Sequence, residues 1–593
     1  MKKSHLKMLL VLSCTLLLGL GGCTTDYTDD DPQVLEPTDE TVGPKTRSLV
    51  GAVFNEGAQV WMVPQKDPYT LENFQQAYDN LLSGNTAQPL TRSDVASCAN
   101  AEPLQATHYC LKIYPRNEHE QWQVERMEDV KVAYIPFDYV QLTEEEIKAL
   151  PTTRSASALF PDESRYKVTY SNVETSEGTV PFETYKMPIL YAVWPIEKPL
   201  PEDLDFEIDY PAFIPSYELV ATRSSGASLT KESLRLLEKE AINLALGWSM
   251  EPKTRAISNR SNEGELIFHD SQVDFDSPLQ GLKIKYQLGS RIWETYSHGD
   301  GYFRVQADVP DEASYIHEYR QAKWKITPNG STAPISYNFG LVGQKFQTSL
   351  YRHYVTSQRG ECEINNAVCY YYNGSHEIQI WAYDDGIRIT ACNYKEPGIL
   401  GRTFWGAKPV YIEIYSDEGS ILSSRIGTTL HELGHFNHYC ERDADKNLGN
   451  LTYVHNLIIE SYACYVGWYL GNKYYKSIWY TPSDPDKDLS CQAHQNWLRT
   501  SKGKSSHYSP LFVDLVDDYD EAVLAEIRPD LEFNSDPISN VPHSVIRQLI
   551  AGTTDWYSFK RHLEEYIDIY YSFEDFKEFK IPYEYWFRLE NQP

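Results

Sequence analysis

The chain has 593 residues, and its 54 Lys and Arg against 84 Asp and Glu give a formal charge of −30. A hydrophobic content of 41% with 13% aromatics excludes a disordered chain and supplies cores for three to four domains of about 100–200 residues each. The acidic balance excludes a general nucleic-acid binder, which needs a basic face to neutralise phosphate.

The N-terminus reads as an export signal over residues 1–22. Lys2, Lys3 and Lys7 form a positive start, and the apolar stretch from Met8 to Leu20 falls short of the ~20 residues that span a bilayer. It ends in Leu20-Gly21-Gly22-Cys23, which resembles the lipobox of bacterial lipoproteins. The resemblance implies cleavage before Cys23, acylation of its thiol, and a chain held by lipid in a bacterial membrane, the outer one. Each buried acyl methylene contributes about 0.8 kcal/mol to such an anchor. Residues 23–47 are polar, with Asp29-Asp30-Asp31 in a row, and read as a solvated tether. An acidic run after the Cys is similar to that of lipoproteins displayed at the cell surface.

Of ten cysteines, Cys14 lies in the signal and Cys23 at the lipid site, which leaves eight in the body of the chain. An even number in an oxidising compartment is compatible with disulfides, and loop closure favours Cys98/Cys110 and Cys362/Cys369. None of the eight forms a Cys-x-x-Cys pair, which argues against thiolate zinc or thioredoxin-like chemistry.

Residues 48–225 read as a β-rich accessory domain. Short strand-like runs, such as Val130 to Tyr134 and Pro188 to Trp194, are interrupted by helices at Thr70–Leu82 and Glu144–Leu150. Residues 226–260 form a helical connector: Ser228 is a candidate N-cap, Leu234, Leu237, Ala241 and Leu244 make one apolar stripe, and Gly247 ends it. In residues 261–335, Pro278-Leu279-Gln280-Gly281-Leu282-Lys283-Ile284-Lys285 and Gly299-Asp300-Gly301-Tyr302-Phe303-Arg304-Val305 predict paired strands. The same residues resemble a carboxypeptidase-regulatory (transthyretin-like) β-sandwich, a resemblance that implies a spacer or adhesion platform.

Residues 336–593 are mixed α/β. Glu377–Tyr383 and Ile387–Asn393 predict a hairpin closed at Asp385-Gly386, Val410–Tyr415 predicts a further strand, and the pattern after Ser420 is mostly helical. There Thr428-Thr429-Leu430-His431-Glu432-Leu433-Gly434-His435 carries His-Glu-x-x-His. Two His at i and i+4 project from one face of a helix, so both imidazoles can reach one cation, and Zn²⁺ suits imidazole with carboxylate. Ile426, Leu430, Leu433 and Asn437 fall on the opposite side and seat the helix, while Gly434 permits close backbone approach.

A third ligand has two candidates. Glu460 follows Leu457-Ile458-Ile459 and shares its helix face with Leu457, Ala463, Cys464 and Gly467. An unpaired carboxylate on so apolar a face costs several kcal/mol, so it calls for a cation. Glu441 is the rival, in a frame reminiscent of His-Glu-x-x-His-x-x-Gly-x-x-His but with His438 where that frame needs Gly; Glu460 is preferred. His438 itself is expected either to face substrate or to lie exposed at the helix end.

These residues resemble the gluzincin class of zinc metallopeptidases, in which a Glu on a second helix completes the site. The resemblance implies His431, His435 and Glu460 as zinc ligands and Glu432 as general base. Three protein ligands leave zinc a position for water, Glu432 takes the water proton and passes it to the leaving amine, and Tyr508 or His507 is the candidate oxyanion donor. The Val410–Tyr415 strand is the candidate cleft edge for an extended substrate backbone. The run Asp514, Asp517, Asp518, Asp520 lacks the spacing of a calcium loop and reads as a solvated helix face.

The expected architecture is multidomain α+β: a β-rich N-terminal domain, a small transthyretin-like β-sandwich, and a C-terminal zincin-like α/β metalloprotease domain. The expected activity is zinc-dependent endopeptidase action on extracellular proteins or glycoproteins. The alternative is a catalytically silent surface binding or adhesion lipoprotein; the intact Glu432 favours the enzyme.

Overall fold

The structure, a computed structural model, describes residues 62–64, 66–84, 103–141, 167–175, 178–217, 231–246, 263–270, 275–305, 309–310, 312–328, 331–341, 352–355, 359–374, 376–378, 380, 386–392, 401–404, 411–415, 425–444, 456–478, 511–516, 541–553 and 555–570. The signal, Cys23, the tether, Cys98, the helix expected at Glu144–Leu150, Ser228, Gly247, Cys491, His507, Tyr508, Asp517, Asp518 and Asp520 lie outside them. The described chain mixes helices with several sheets and divides into two compact units, one drawn from Glu40–Ile267 and Leu279–Ser357, the other from Phe268–Pro278 and Gln358–Pro593. No described helix is long and apolar enough to cross a membrane.

The chain runs through β1 (Met62–Pro64), α1 (Leu71–Ser83), β2 (His108–Ile113), α2 (Glu118–Glu125), β3 (Lys131–Ala133), β4 (Tyr139–Gln141), β5 (Lys167–Thr175), β6 (Gly178–Lys186), β7 (Leu190–Pro195), β8 (Phe206–Ala212) and α3 (Lys231–Leu246). It continues with β9 (Glu263–Asp270), β10 (Phe275–Pro278), β11 (Lys283–Leu288), β12 (Arg291–Tyr296), β13 (Tyr302–Arg304), β14 (Ser314–Glu318), β15 (Trp324–Pro328), β16 (Ser336–Leu341) and β17 (Arg352–Tyr354).

In the first unit, β3-β7-β2-β8 form an antiparallel sheet whose inner face carries Leu111, Ile113, Val132, Leu190 and Trp194, all buried. A second sheet, β12-β11-β14-β16, alternates Ile284, Tyr286 and Leu288 on one face of β11 with Lys283 and Lys285 on the other. The pairing expected between the Pro278–Lys285 and Gly299–Val305 runs takes a different form. β11 pairs with β12 and β14, whereas the Asp300-Gly301 turn delivers β13 to β9. That turn is built as its sequence asks: Gly301 takes φ 79°, and Asp300 Oδ1 accepts from Tyr302 N–H.

Lys283 and Lys285 are buried with partners. Lys285 Nζ lies 2.5 Å from Glu318 and donates to Val132 O, Lys283 Nζ lies 2.7 Å from Glu294, and Arg320 bonds Glu318 and lies 3.2 Å from Glu125. Burial alone would raise the Glu318 carboxyl, but Arg320, Lys285 and Lys283 hold it down at about 2. Lys285 and Val132 thus join the residues expected as separate accessory and sandwich domains, and Gln121 donating to Thr332 O makes a second polar tie.

The second unit contains α4 (Arg359–Asn373), β18 (Ile387–Cys392), β19 (Gly401–Phe404), β20 (Tyr411–Tyr415), α5 (Arg425–Ala444), α6 (Asn456–Ser477), α7 (Leu511–Asp514), α8 (His543–Ala551) and α9 (Trp556–Tyr570). Of the hairpin expected at Asp385-Gly386, residues 379 and 381–385 lie outside the described residues; Glu377 and Ile378 form a bend, and β18 runs parallel to β20. β20 lies between β18 and antiparallel β19, so the strand expected at the cleft edge is internal and β19 takes the edge beside α5. Helix α4 is buried along nearly its whole length. Its Asn366 Nδ2 donates to Pro278 O and Tyr474 OH, while Tyr475 of α6 donates to Asp270, so the Phe268–Pro278 excursion is tied into this unit.

The expected Cys362/Cys369 disulfide does not form, and Cys98 of the other expected pair lies outside the described residues. Cys110, Cys369 and Cys464 are buried free thiols, and Cys362 and Cys440 are also buried and outside any disulfide. Cys362 and Cys369 both lie on α4, where a seven-residue separation rises about 10 Å along the axis, beyond the ~4.4–6.8 Å that a disulfide spans between Cα atoms.

Candidate metal centre

Helix α5 forms where apolar residues recur at helical spacing. Ile426, Leu430 and Leu433 are fully buried, and Arg425 at its start lies 2.9 Å from Glu363 of α4. Helix α6 is apolar nearly all round, with Ile458, Ala463, Val466 and Leu470 buried, as expected of a helix enclosed by others. The two run antiparallel and touch through glycine. A Cβ on Gly434 would stand 2.9 Å from Ala463 Cα, where no side chain fits without a shift, and one on Gly467 would stand 3.2 Å from His431 N, tighter than an ordinary contact.

This approach brings His431, His435 and Glu460 together. Glu460 Oε2 lies 3.4 Å from His431 Nε2 and 3.3 Å from His435 Nε2, and one ligand atom from each of the three residues falls within 4.8 Å of the others. The imidazoles stand edge to face with centroids 4.7 Å apart. Side-chain exposure is 14% at His431 and 17% at Glu460 but 3% at His435, so solvent reaches the cluster from the His431–Glu460 side. Burial alone would raise the Glu460 carboxyl, but His435 and the bonds from both imidazoles hold it well below the usual carboxylate range. Burial would likewise lower His435, but Glu460, with a smaller contribution from Glu432, raises it.

The donor set fits a tetrahedral cation. Bonds of about 2.0–2.2 Å at the tetrahedral angle place neighbouring ligand atoms about 3.3–3.6 Å apart. The observed 3.4 and 3.3 Å lie in that range and are longer than the ~2.9–3.0 Å of an ordinary N–H···O bond. Glu432, beside His431 in sequence, is buried, and its charge acts on both His435 and the Cys464 thiol, so its carboxylate stands next to the cluster without belonging to it.

The rival Glu441 is engaged elsewhere, with Arg547 Nε of α8 donating to its Oε1 at 2.7 Å. His438 is neither exposed nor at the cluster; it is fully buried with its ring against Tyr462. Asn437, expected only to seat the helix, makes two buried hydrogen bonds. Its Oδ1 accepts from Tyr371 OH of α4 at 3.2 Å, and its Nδ2 donates to Tyr462 OH of α6 at 3.1 Å. Gly467 and Arg547 were not singled out as site-forming by the sequence; the one available signal is a Gly inside an otherwise apolar helix.

Comparison of the chain with protein-family models, with curated proteins and with solved structures returns no match.

Proposed function

We propose that this chain is a zinc-dependent endopeptidase, exported and lipid-anchored through Cys23, that hydrolyses extracellular proteins or glycoproteins. The observation that carries the reading is the meeting of Glu460 with His431 and His435 beside a buried Glu432. The N-terminal sequence supports export and anchoring.

His431 and His435 through Nε2, and Glu460 through Oε2, would hold the zinc. Bound there, zinc supplies the Lewis acidity that makes water nucleophilic near neutral pH and polarises a peptide carbonyl. Glu432 performs the proton transfers: it accepts a proton as the water oxygen joins the carbonyl carbon, and delivers it to the nitrogen as the C–N bond breaks. Its burial shields that carboxylate from bulk solvent. The edge strand β19 offers backbone groups to an extended substrate running alongside α5.

The decisive experiment compares wild type with Glu432→Gln on a library of peptides and glycoproteins, with zinc content measured on the same samples. The enzyme reading expects equal zinc, with cleavage by wild type alone. Full zinc with no cleavage by wild type would instead favour a binding or adhesion lipoprotein.

A further inference from the structure

We propose that Asn437 is a positioning residue of the metal centre, setting the roll of α5 against α6 through its bond to Tyr462. The proposal rests on the zinc-site reading above. Asn437 follows His435 by two residues and Tyr462 follows Glu460 by two, and two residues turn a helix by about 200°. Each helix therefore presents its ligand on one flank and its Asn or Tyr on the opposite flank. The His435–Glu460 contact of 3.3 Å closes one side of the helix pair, and the Asn437–Tyr462 bond of 3.1 Å closes the other.

Between these flanks the helices touch at Gly434, against Ala463 and Val466 Cβ, and at Gly467, against the backbone of Gly427 and His431. Rolling α5 carries both imidazoles past Glu460 together. The Asn437 amide opposes that motion from the far side, and its bond from Tyr371 refers α5 to a third helix, α4. Asn437 and Tyr462 are both 2% exposed, so water is a poor substitute for either partner.

The test uses the full mature chain with Tyr462→Phe, which removes one hydroxyl and keeps the ring packed on His438, and Asn437→Leu. Zinc affinity is measured by competition with a chelator of known affinity, and urea unfolding of the metal-free protein is measured in parallel. Both variants should bind zinc at least about tenfold more weakly, as for other groups that orient metal ligands. The double variant should be no weaker than Asn437→Leu alone, because both changes remove the same bond. A purely structural role would lower metal-free stability and leave zinc affinity within twofold of wild type, and that result overturns the proposal. If wild type binds zinc no better than His431→Ala, the zinc-site reading fails and the proposal falls with it.

Discussion

Gly467 of α6 lies so close to His431 of α5 that a Cβ on the glycine would stand 3.2 Å from the histidine's backbone nitrogen and 3.3 Å from its Cα. The ligand-bearing residue is thus held by main-chain contact across the helix pair. Gly434 makes the reciprocal contact on Ala463, so the separation of the two helices is set at two places.

Gly434→Ala places a methyl 2.9 Å from Ala463 Cα and 3.1 Å from Ala463 O, so the backbones must separate. Zinc affinity, measured by chelator competition, should fall at least about tenfold, since ligand placement depends on that separation. Gly471→Ala is the matched control. Its Cβ meets only Leu430 Cδ1 at 4.0 Å, and the variant should keep zinc while gaining up to about 1 kcal/mol of helix stability.

Glu460→Ala and Glu441→Ala separate the two candidate third ligands. The first should abolish zinc in elemental analysis of the purified protein. The second should leave zinc in place and cost about 1 kcal/mol or somewhat more in unfolding, because it breaks a part-buried ion pair with Arg547. Undiminished zinc in Glu460→Ala would remove Glu460 from the site.

Zinc removal by a chelator should lower the melting temperature, and excess zinc should restore it. At a free concentration a hundredfold above the dissociation constant, the recovered stability is about 2.7 kcal/mol. Scanning calorimetry of wild type and His435→Ala checks this, and a zinc-dependent shift that survives in His435→Ala contradicts it.

Asp67 gives a pH prediction in the first unit. Burial raises its carboxyl to about 6 from an ordinary value of 3.8, against the lowering effect of bonds from Tyr69 N, Tyr210 OH and Ser290 N. Between these values the folded chain binds more protons than the unfolded chain, so stability falls as pH rises. The contribution is complete below about 3.8 and lost above about 6, a difference on the order of 3 kcal/mol. Urea unfolding of wild type and Asp67→Asn at pH 4 to 7 should show the gap between the two change by that order. A gap independent of pH would refute it.

Alkylation in denaturant without reductant should label Cys110, Cys362, Cys369, Cys440 and Cys464, and peptide mass analysis reads each site. A Cys362–Cys369 crosslinked peptide would contradict the helix that carries both.

Much of the site was legible because its chemistry depends on local spacing. His431 and His435 share a helix face at i and i+4, and Glu460 is conspicuous as a carboxylate among Ile459, Ala463 and Cys464. What escaped depends on tertiary packing. Nothing local tells that Tyr462 bonds Asn437 or that Arg547, far along the chain, takes Glu441. Strand order is equally hidden: the composition of Tyr411–Tyr415 predicts a strand but not that β18 and β19 flank it. The Cys362/Cys369 expectation failed because proximity in sequence was read as loop closure where the chain is helical.

The excursion of Phe268–Pro278 into the second unit bears on how the gene can be cut. A recombinant fragment starting at residue 336 would carry every ligand and Glu432 yet lack Asp270 and Pro278, the acceptors for Tyr475 and Asn366. Such a fragment should express poorly or aggregate. Co-expression with a segment spanning residues 261–335 should rescue it, as complementary halves of one folded body.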